Sequence, residues 1–410
     1  MPELIEFTIS ELQGLFDDGE WTSKSLCEAY LQRIAEIDQA GPTLRSIIEI
    51  NPEALQTATD LDRERQESGP RGPLHGVPVL VKDSIDTADR MMTTAGSLAM
   101  VGHIAEQDAF VVERLRASGA VILAKTNMTE WSYMRSTRTC SGWSSRGGQV
   151  RNPHVLDRTP SGSSSGCGAA IAANLGMASI GAEVDGSVVR PSSTNGIVGL
   201  KPTVGLVGRS GVMPVAAQQD TTGPMTRTVS DLAVVLTGIT GVDPRDPATQ
   251  EAVAHTADDY CAFLDAGALQ GARLGVARDL MGTHEAVDGV IDQAIEVLKQ
   301  LGAEIVDPAN GSALPLFGPV EAEFCLYEFK AGINRYFADH PTSPIRSLED
   351  LIAYNRAHAD KIMPFFQQEL LEAAQAKGEL DEPRYLEVKR ECLRMSRTDG
   401  IDKVMAEHQL

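Results

Sequence analysis

The chain of 410 residues is 42% hydrophobic and 23% charged, an ordinary globular composition that argues against disorder. Its formal net charge of −21 at pH 7 would repel a phosphate backbone, so direct binding of nucleic acid is not expected. The sequence contains no apolar run of about 18 residues, so no membrane span is expected either.

The N-terminal residues and the cysteines indicate a cytoplasmic protein. Residues 1–11 include Glu3 and Glu6 and no basic segment, unlike a signal peptide. The six cysteines are scattered without a Cys-x-x-Cys pair, which fits a reducing compartment. The eight histidines form neither a His-Glu-x-x-His nor a His-x-His pattern, so we predict no metal site and no cofactor.

Three helices are predicted before residue 76. The capping box Thr8-Ile9-Ser10-Glu11 begins the first helix, which ends near Gly19. The second helix follows Thr22 and carries its apolar residues on one face. The third spans Pro52 to Glu67 and precedes a Gly/Pro-rich break. We therefore expect residues 1–75 to form a helical region that packs on the core.

Residues 76–310 are predicted to form the α/β core. An apolar strand over Val77–Val81 ends at Lys82, and a helix over Phe110–Ser118 leads to a strand over Ala120–Ala124. Strand, helix and strand in this order indicate α/β architecture. The later predicted elements of this region are the helices Thr228–Gly241 and Val287–Leu301 and the strands Leu274–Ala277 and Ala303–Val306.

The segment from Thr159 to Pro202 is the most unusual part of the sequence. Glycines and serines lie on both sides of a small apolar stretch, Ala169–Ala178, which we predict to be a buried helix and which a flexible linker would not contain. A phosphate-binding loop would require Gly-Lys-Ser/Thr, which is absent. The Gly-x-Ser-x-Gly match at Gly162–Gly166 lacks the preceding strand of a nucleophile elbow. An arrangement of serines with a lysine remains, in which hydroxyl groups act as nucleophile and proton relay.

After Pro319 the predicted elements are all helical. They are Glu321–Phe337, Ser347–Asn355, Phe365–Lys377 and a helix that begins at Pro383. Residues 311–410 are therefore expected to form a helical cap region.

A series of ordered motifs resembles the amidase signature family. The family's glycine-serine loop matches Ser161–Gly168, its second serine loop matches Gly181–Ser187, and its lysine falls in Gly76–Asp83. The match also includes Lys125–Met128 and Gly223–Met225. The resemblance implies an α/β fold with a central mixed β-sheet flanked by helices on both faces, and helical cap regions at both ends of the chain.

The resemblance also implies a catalytic set that needs no metal or other cofactor. Ser187 would attack an amide carbonyl to give an acyl-enzyme, and Ser163, which follows a cis peptide bond, would pass the proton to Lys82. The oxyanion would be bound by the backbone N–H groups of Val184, Asp185, Gly186 and Ser187.

Lys82 must be neutral to act as a base. An ordinary lysine, with a pKa near 10.4, is only about 0.04% neutral at pH 7. Burial can lower that pKa by about 3. The apolar residues before Lys82 would favour such burial.

The loop around Ser187 departs from the common family pattern Gly-Thr-Asp-Thr-Gly-Gly-Ser. Ala182 and Val184 replace the two threonines, and Asp185 replaces a glycine. Asp185, together with Val189, Ser165 and the segment Ser141–Pro153, resembles the peptide amidase branch of the family. We also predict that three residues close to Asn127 contact the substrate, namely Met128, Trp131 and Arg135.

The sequence thus predicts an amide hydrolase, monomeric or homodimeric, for C-terminal peptide amides or other small carboxamides. One alternative is the glutamine-hydrolysing subunit of a tRNA amidotransferase. Another is a catalytically inactive binding protein, because the family's final segment, which carries part of the central sheet, is expected to be missing after Leu410. The presence of Lys82, Ser163 and Ser187 argues against inactivation by substitution.

Overall fold

The computed structural model describes residue 4, residues 6–311 and residues 314–410. The α-helices in chain order are α1 (Ile9–Asp17), α2 (Ser23–Arg33), α3 (Ala54–Ser68), α4 (Phe110–Ala117), α5 (Ser165–Ala172), α6 (Val189–Thr194), α7 (Val229–Ile239), α8 (Pro247–Ala252), α9 (Glu285–Gln300), α10 (Leu314–Asp339), α11 (Leu348–Ala357), α12 (Ala359–Ile362), α13 (Glu369–Gln375), α14 (Pro383–Leu393) and α15 (Asp402–His408). The strands are β1 (Ile47–Ile50), β2 (Pro78–Lys82), β3 (Val121–Thr126), β4 (Trp143–Ser144), β5 (Gly148–Gln149), β6 (Ala178–Glu183), β7 (Val198–Gly199), β8 (Thr221–Thr226), β9 (Arg273–Gly275) and β10 (Glu304–Val306).

One mixed sheet of six strands, in the order β1–β3–β2–β6–β8–β7, organises the fold. β2 lies between β3 and β6 and is parallel to both, whereas β1, β8 and β7 are each antiparallel to a neighbour. The helices α2, α4, α5 and α7 pack against the sheet. The predicted α/β class, a mixed sheet flanked by helices, is confirmed.

The central strands are buried because they are almost continuously apolar. Every residue of β2 and of β3 is buried. Valine and isoleucine suit a strand that is covered on both faces. The strands predicted over Val77–Val81 and Ala120–Ala124 are confirmed, and the second extends to Thr126.

The helix predicted over Ala169–Ala178 is present, but its bounds are wrong. The helix is Ser165–Ala172, and residues 178–183 form the strand β6. Both segments consist mainly of alanine, glycine, serine and isoleucine, so composition does not separate helix from strand here. These small residues let α5 approach β6 closely: a Cβ on Gly181 would lie 2.8 Å from Ser164 Oγ.

Besides β6, three strands of the sheet were not predicted, namely β1, β7 and β8. β8 contains Pro224, and a proline normally argues against a central strand because it cannot donate to the ladder. β8 nevertheless pairs with β6 from Ala178↔Thr226 to Glu183↔Thr221. The Pro224 carbonyl still accepts the N–H of Leu200 at 3.2 Å.

The chain forms two compact units. The first contains the described residues up to Ala262 together with Phe329–Ala376, and it includes the six-stranded sheet. The second contains Phe263–Glu328, apart from residues 312 and 313, together with Lys377–Leu410. In it, β9 and β10 form a parallel pair and α9 packs on β10. The division predicted at residues 75 and 310 stays a prediction.

The helices predicted after Pro319 are present with shifted ends. α10 is longer than predicted and includes Pro319, whereas the helix predicted over Phe365–Lys377 is reduced to α13. Within the described ranges, no helix has both the length and the apolar character needed to cross a membrane.

Candidate active site

The sheet brings the three predicted catalytic residues to one edge. Lys82 is the last residue of β2, Ser163 lies just before α5, and Ser187 lies in the turn between β6 and α6. Because β2 and β6 are parallel neighbours, their carboxyl ends lie at the same edge of the sheet. Lys82 and Ser163 are fully buried, and Ser187 keeps 6% exposure.

The Lys82 amine contacts only uncharged groups by hydrogen bonding. Its Nζ atom lies 2.7 Å from Ser163 Oγ, 2.9 Å from the carbonyl oxygen of Ala182 and 3.5 Å from Ser132 Oγ. A neutral amine in this position would accept the Ser163 hydroxyl hydrogen while donating to Ala182. The site therefore suits a lysine that exchanges a proton with Ser163.

Burial lowers the pKa of Lys82 from its ordinary 10.5 to about 8, although the more remote negative groups around it act in the opposite direction. A group with a pKa of 8 is neutral in about 10% of molecules at pH 7, roughly 200 times more than an ordinary lysine. The environment thus supplies a usable fraction of neutral amine.

Hydrogen bonds fix the loop of Ser163 and join it to the loop of Ser187. The peptide bond between Gly162 and Ser163 is cis. Gly162 has no room for a side chain, because a Cβ would lie 2.4 Å from Thr129 Oγ1. The Thr129 N–H donates to the Ser163 carbonyl at 3.0 Å, and the Ser164 N–H donates to the Ser187 carbonyl at 3.1 Å.

Sequence analysis missed Glu183, the last residue of β6. Its buried carboxylate accepts the backbone N–H groups of Gly186 at 2.9 Å, Val188 at 2.5 Å and Val189 at 3.0 Å. Hydrogen bonds to a carboxylate are stronger than those between neutral groups. Since these three donors lie on both sides of Ser187, Glu183 fixes the turn that carries it. An acidic residue inside a glycine-rich apolar strand was the available signal.

The four N–H groups predicted for the oxyanion hole are not equally available. The N–H of Gly186 donates to Glu183. Those of Val184, Asp185 and Ser187 have no hydrogen-bond acceptor among the described residues. Gly186 has a φ of 75°, which glycine adopts without steric penalty. The assignment of the oxyanion hole stays a prediction, and the turn leaves three donors open to a ligand.

Two of the predicted substrate contacts, Met128 and Trp131, are buried at 0% and 2% exposure. The indole Nε1 of Trp131 has no hydrogen-bond partner within the described part of the chain. A buried donor without an acceptor is unusual in a folded protein. Both substrate roles stay predictions.

Arg135, the third predicted contact, is engaged within the protein. Its guanidinium group donates to Glu130 Oε1 at 2.7 Å and to the carbonyl oxygen of Ile362. It also stacks on the ring of Phe366, with 4.7 Å to the centroid. These contacts give Arg135 a packing role that holds the residues between α12 and α13, and its substrate contact stays a prediction.

A left-handed turn lies beside Lys82. Trp131, Ser132 and Tyr133 have φ angles of 51°, 51° and 74°, which are uncommon for residues other than glycine. The Tyr133 ring faces the guanidinium of Arg190 at 5.8 Å, and Ser132 Oγ approaches Lys82. The turn thus extends from Lys82 towards the helix that follows Ser187, a position where backbone strain is often functional.

Comparison with curated proteins identifies relatives of two kinds. A probable amidase from Arabidopsis thaliana is 41% identical over 419 residues, which cover 99% of this chain and 78% of that protein. The A-type subunit of the glutamyl-tRNA(Gln) amidotransferase of Halorhodospira halophila is 37% identical over 372 residues, which cover 89% of this chain and 73% of that protein.

Among solved structures, the native peptide amidase of Stenotrophomonas maltophilia matches with a TM-score of 0.93 and 46% identity, covering 99% of this chain and 82% of that chain. This confirms the predicted resemblance to the peptide amidase branch. The family model described as Amidase matches residues 25–407. The chain therefore belongs to the amidase signature family and is an amide-hydrolysing enzyme.

Proposed function

We propose that this enzyme releases ammonia from C-terminal peptide amides or other small carboxamides, with Lys82, Ser163 and Ser187 as its catalytic residues. The observation that carries the proposal is the 2.7 Å contact between Lys82 Nζ and Ser163 Oγ, both fully buried. The likeness to the solved peptide amidase supports this substrate class.

In the proposed acylation, Ser187 Oγ attacks the carbonyl carbon of the amide. Its proton moves to Ser163 Oγ as the Ser163 proton moves to Lys82 Nζ. The open N–H groups of Val184, Asp185 and Ser187 are the candidate donors to the resulting oxyanion. The proton then returns through Ser163 to the amide nitrogen, the C–N bond breaks and ammonia leaves.

In the proposed deacylation, water attacks the ester on Ser187 and gives its proton to the same relay. The relay returns a proton to Ser187 Oγ as the ester bond breaks, and the carboxylic acid leaves. The two half-reactions together consume one water and release one ammonia, without a cofactor.

For substrate binding we propose that Trp131 Nε1 donates to a carbonyl oxygen of the substrate next to Met128. Support comes from the burial and the missing acceptor of this N–H group within the described residues. Replacing Trp131 by Phe keeps a ring and removes the donor, so KM should rise about tenfold with little change in kcat. An unchanged KM would remove Trp131 from the binding site.

Ammonia release from a panel of peptide amides and simple carboxamides tests the main proposal, with Ser187→Ala and Lys82→Ala as matched variants. Release by the wild type and its loss in both variants would support the proposed mechanism and rank the substrates. Release that survives in either variant would refute the assignment of that residue. No release from any substrate would favour an inactive binding protein.

A second candidate function is glutamine hydrolysis within a tRNA amidotransferase. The 37% identity to the Halorhodospira halophila protein favours it. Ammonia release from free glutamine but not from peptide amides, together with co-purification of a partner protein, would select this candidate over the first.

A further inference from the structure

Three potential metal ligands, none of them a predicted catalytic residue, lie together in the first compact unit. Asp86 follows β2, His103 precedes α4, and His340 follows α10. One ligating atom from each of them lies within 4.8 Å of the others. Asp86 and His103 are each 1% exposed, and the His340 side chain is 18% exposed.

Tyr336 engages one polar atom of each of these side chains. Its hydroxyl donates to Asp86 Oδ1 at 2.8 Å. Because that single hydrogen is used, His103 Nε2, 2.9 Å from the same oxygen, must be the donor to it. His340 Nδ1 lies 2.8 Å from the Tyr336 carbonyl and must donate to it. These bonds fix the orientation and the tautomer of both imidazole rings.

The remaining polar atoms of the three side chains are electron-pair donors. Asp86 Oδ2 and His103 Nδ1 are buried and have no hydrogen-bond partner among the residues that the structure describes. His340 Nε2 faces Asp86 Oδ2 at 3.2 Å. A proton on His340 would satisfy the carboxylate oxygen alone and leave His103 Nδ1 unpaired. Buried polar atoms without partners indicate an ion or another bound group.

We propose that Asp86, His103 and His340 bind a divalent transition-metal ion, with Zn²⁺ the best match to the ligand set. Two imidazoles and one carboxylate are ligands that Zn²⁺ prefers, at about 2.0–2.2 Å, so that tetrahedral donors lie about 3.3 Å apart. The 3.2 Å between Asp86 Oδ2 and His340 Nε2 meets this spacing. The His103 ring lies 5.2 Å from the His340 ring, centroid to centroid, and supplies the third ligand within 4.8 Å of the other two.

The bonds made by Tyr336 are those expected around a metal site. A metal-binding histidine usually donates its second ring N–H to a carbonyl or a similar acceptor, which orients the ligand. Here Tyr336 provides the acceptor for both histidines and a donor to the carboxylate. Tyr336 is therefore a positioning residue for all three ligands.

A cavity gives an ion access to two of the three side chains, those of Asp86 and His340. It has a volume of about 480 Å³ and is lined by Asp86, Tyr336 and His340, among others. Water in this cavity completes the four-coordinate shell that Zn²⁺ prefers. Since the ligands Asp86 and His340 lie in distant parts of the sequence, the ion cross-links these parts and stabilises the fold without entering the hydrolysis step.

Calorimetric titration of the metal-free protein with Zn²⁺ tests the proposal, alongside His340→Gln, His103→Ala and the control His255→Ala, which removes an exposed histidine. The wild type and the control should bind one equivalent and gain Tm. Both cluster variants should bind at least about tenfold more weakly and lose the Tm gain. Co²⁺ in place of Zn²⁺ should give a tetrahedral absorption spectrum without thiolate bands.

Two results would overturn the proposal: no stoichiometric binding to the wild type, or undiminished binding in both His340→Gln and His103→Ala. Tyr336→Phe keeps all three ligands and removes only the hydroxyl bonds. It should weaken Zn²⁺ binding about tenfold, and it decides the question if a ligand variant fails to fold. Wild-type affinity in a folded Tyr336→Phe protein would also count against the site.

Discussion

Lys82 and Lys125 lie near the carboxyl ends of the neighbouring strands β2 and β3, one register position apart, and both side chains are fully buried. Burial lowers the pKa of each. The groups around them differ. Lys125 Nζ donates to Thr93 Oγ1 at 3.0 Å and to the Ile85 carbonyl, and the nearby carboxylates of Asp83 and Asp86 oppose the fall of its pKa.

Among the described residues, the hydrogen-bond partners of both lysines are uncharged hydroxyl and carbonyl groups. The lysines differ in the carboxylates that oppose the fall of their pKa, which number four around Lys125 and two around Lys82. Lys125 is suited to remain a structural cation, whereas Lys82 is suited to lose its proton. Under the proposed mechanism, Lys125 would serve stability and Lys82 the reaction.

Replacing Lys82 by methionine tests whether Lys82 takes part in the reaction, and it should have the largest effect on kcat. Without the amine, Ser163 has no proton acceptor, so kcat for ammonia release should fall by about 10⁴-fold or more. The free energy of unfolding at pH 7 should rise by about 1–3 kcal/mol, because a buried amine with a lowered pKa destabilises the folded state. Steady-state kinetics and urea denaturation measure the two effects, and an active variant would refute the role of Lys82.

The matched change at Lys125 should act on stability in the opposite direction. Lys125→Met removes a positive charge from among four carboxylates, of which Asp83 keeps Arg146 at 3.4 Å, so the free energy of unfolding should fall by about 1–3 kcal/mol. Urea denaturation of the two methionine variants at pH 7 gives the comparison directly. If the free energy of unfolding changes in the same direction in both variants, the distinction between the two lysines is wrong.

Glu183→Gln tests whether the turn around Ser187 depends on the carboxylate. The amide keeps the length of the side chain but offers fewer acceptor sites to the N–H groups of Gly186, Val188 and Val189. We expect kcat to fall about 100-fold, from misplacement of Ser187, with a loss of about 1–3 kcal/mol in stability. Asp185→Asn, an exposed change in the same turn, is the control and should retain most of the activity.

The smallest expected effect is the change of kcat/KM with pH. Because the pKa of Lys82 is lowered to about 8, the neutral amine is a minor species at pH 7 and the dominant one at pH 9. The value of kcat/KM for a substrate that does not ionise should therefore rise about tenfold between these pH values and then level off. A flat profile would mean that the proton acceptor titrates elsewhere.

The lowered pKa of Lys82 also predicts the direction in which the stability of the protein changes with pH. Between pH 8 and 10.5 the unfolded chain binds a proton at Lys82 that the folded chain has released. The contribution of Lys82 to stability therefore rises with pH across this window, and the Lys82→Met variant should lose that part of the pH dependence.

The sequence predicted part of the framework on which the site depends, but not the strand β6 that leads into the turn of Ser187. The apolar run before Lys82 predicted a buried strand that ends at a lysine, and the glycines and serines around the small apolar stretch indicated serines that act with a lysine. The resemblance named Lys82, Ser163 and Ser187, and the fold places all three at one edge of the sheet. Local patterns sufficed because each of these segments has a distinctive composition.

Other features depend on partners that are distant in sequence. The three N–H groups that donate to Glu183 are close to it in sequence, but only the folded turn brings them to its carboxylate. The engagement of Arg135 by Ile362 joins residues 227 positions apart, and no local pattern encodes it. β8 was not predicted because it contains a proline, which has no N–H group to donate to a sheet. Pro224 takes part through its carbonyl, which accepts the N–H of Leu200.

The burial of Lys82 also bears on how such a chain would change over generations. If a methionine at this position gives a more stable protein, random substitution under selection for folding alone would discard the lysine. Only selection for turnover opposes that drift. Under the proposed mechanism, Lys82 would thus be kept by selection on activity, in contrast to Lys125, which the carboxylates around it would keep through selection on folding.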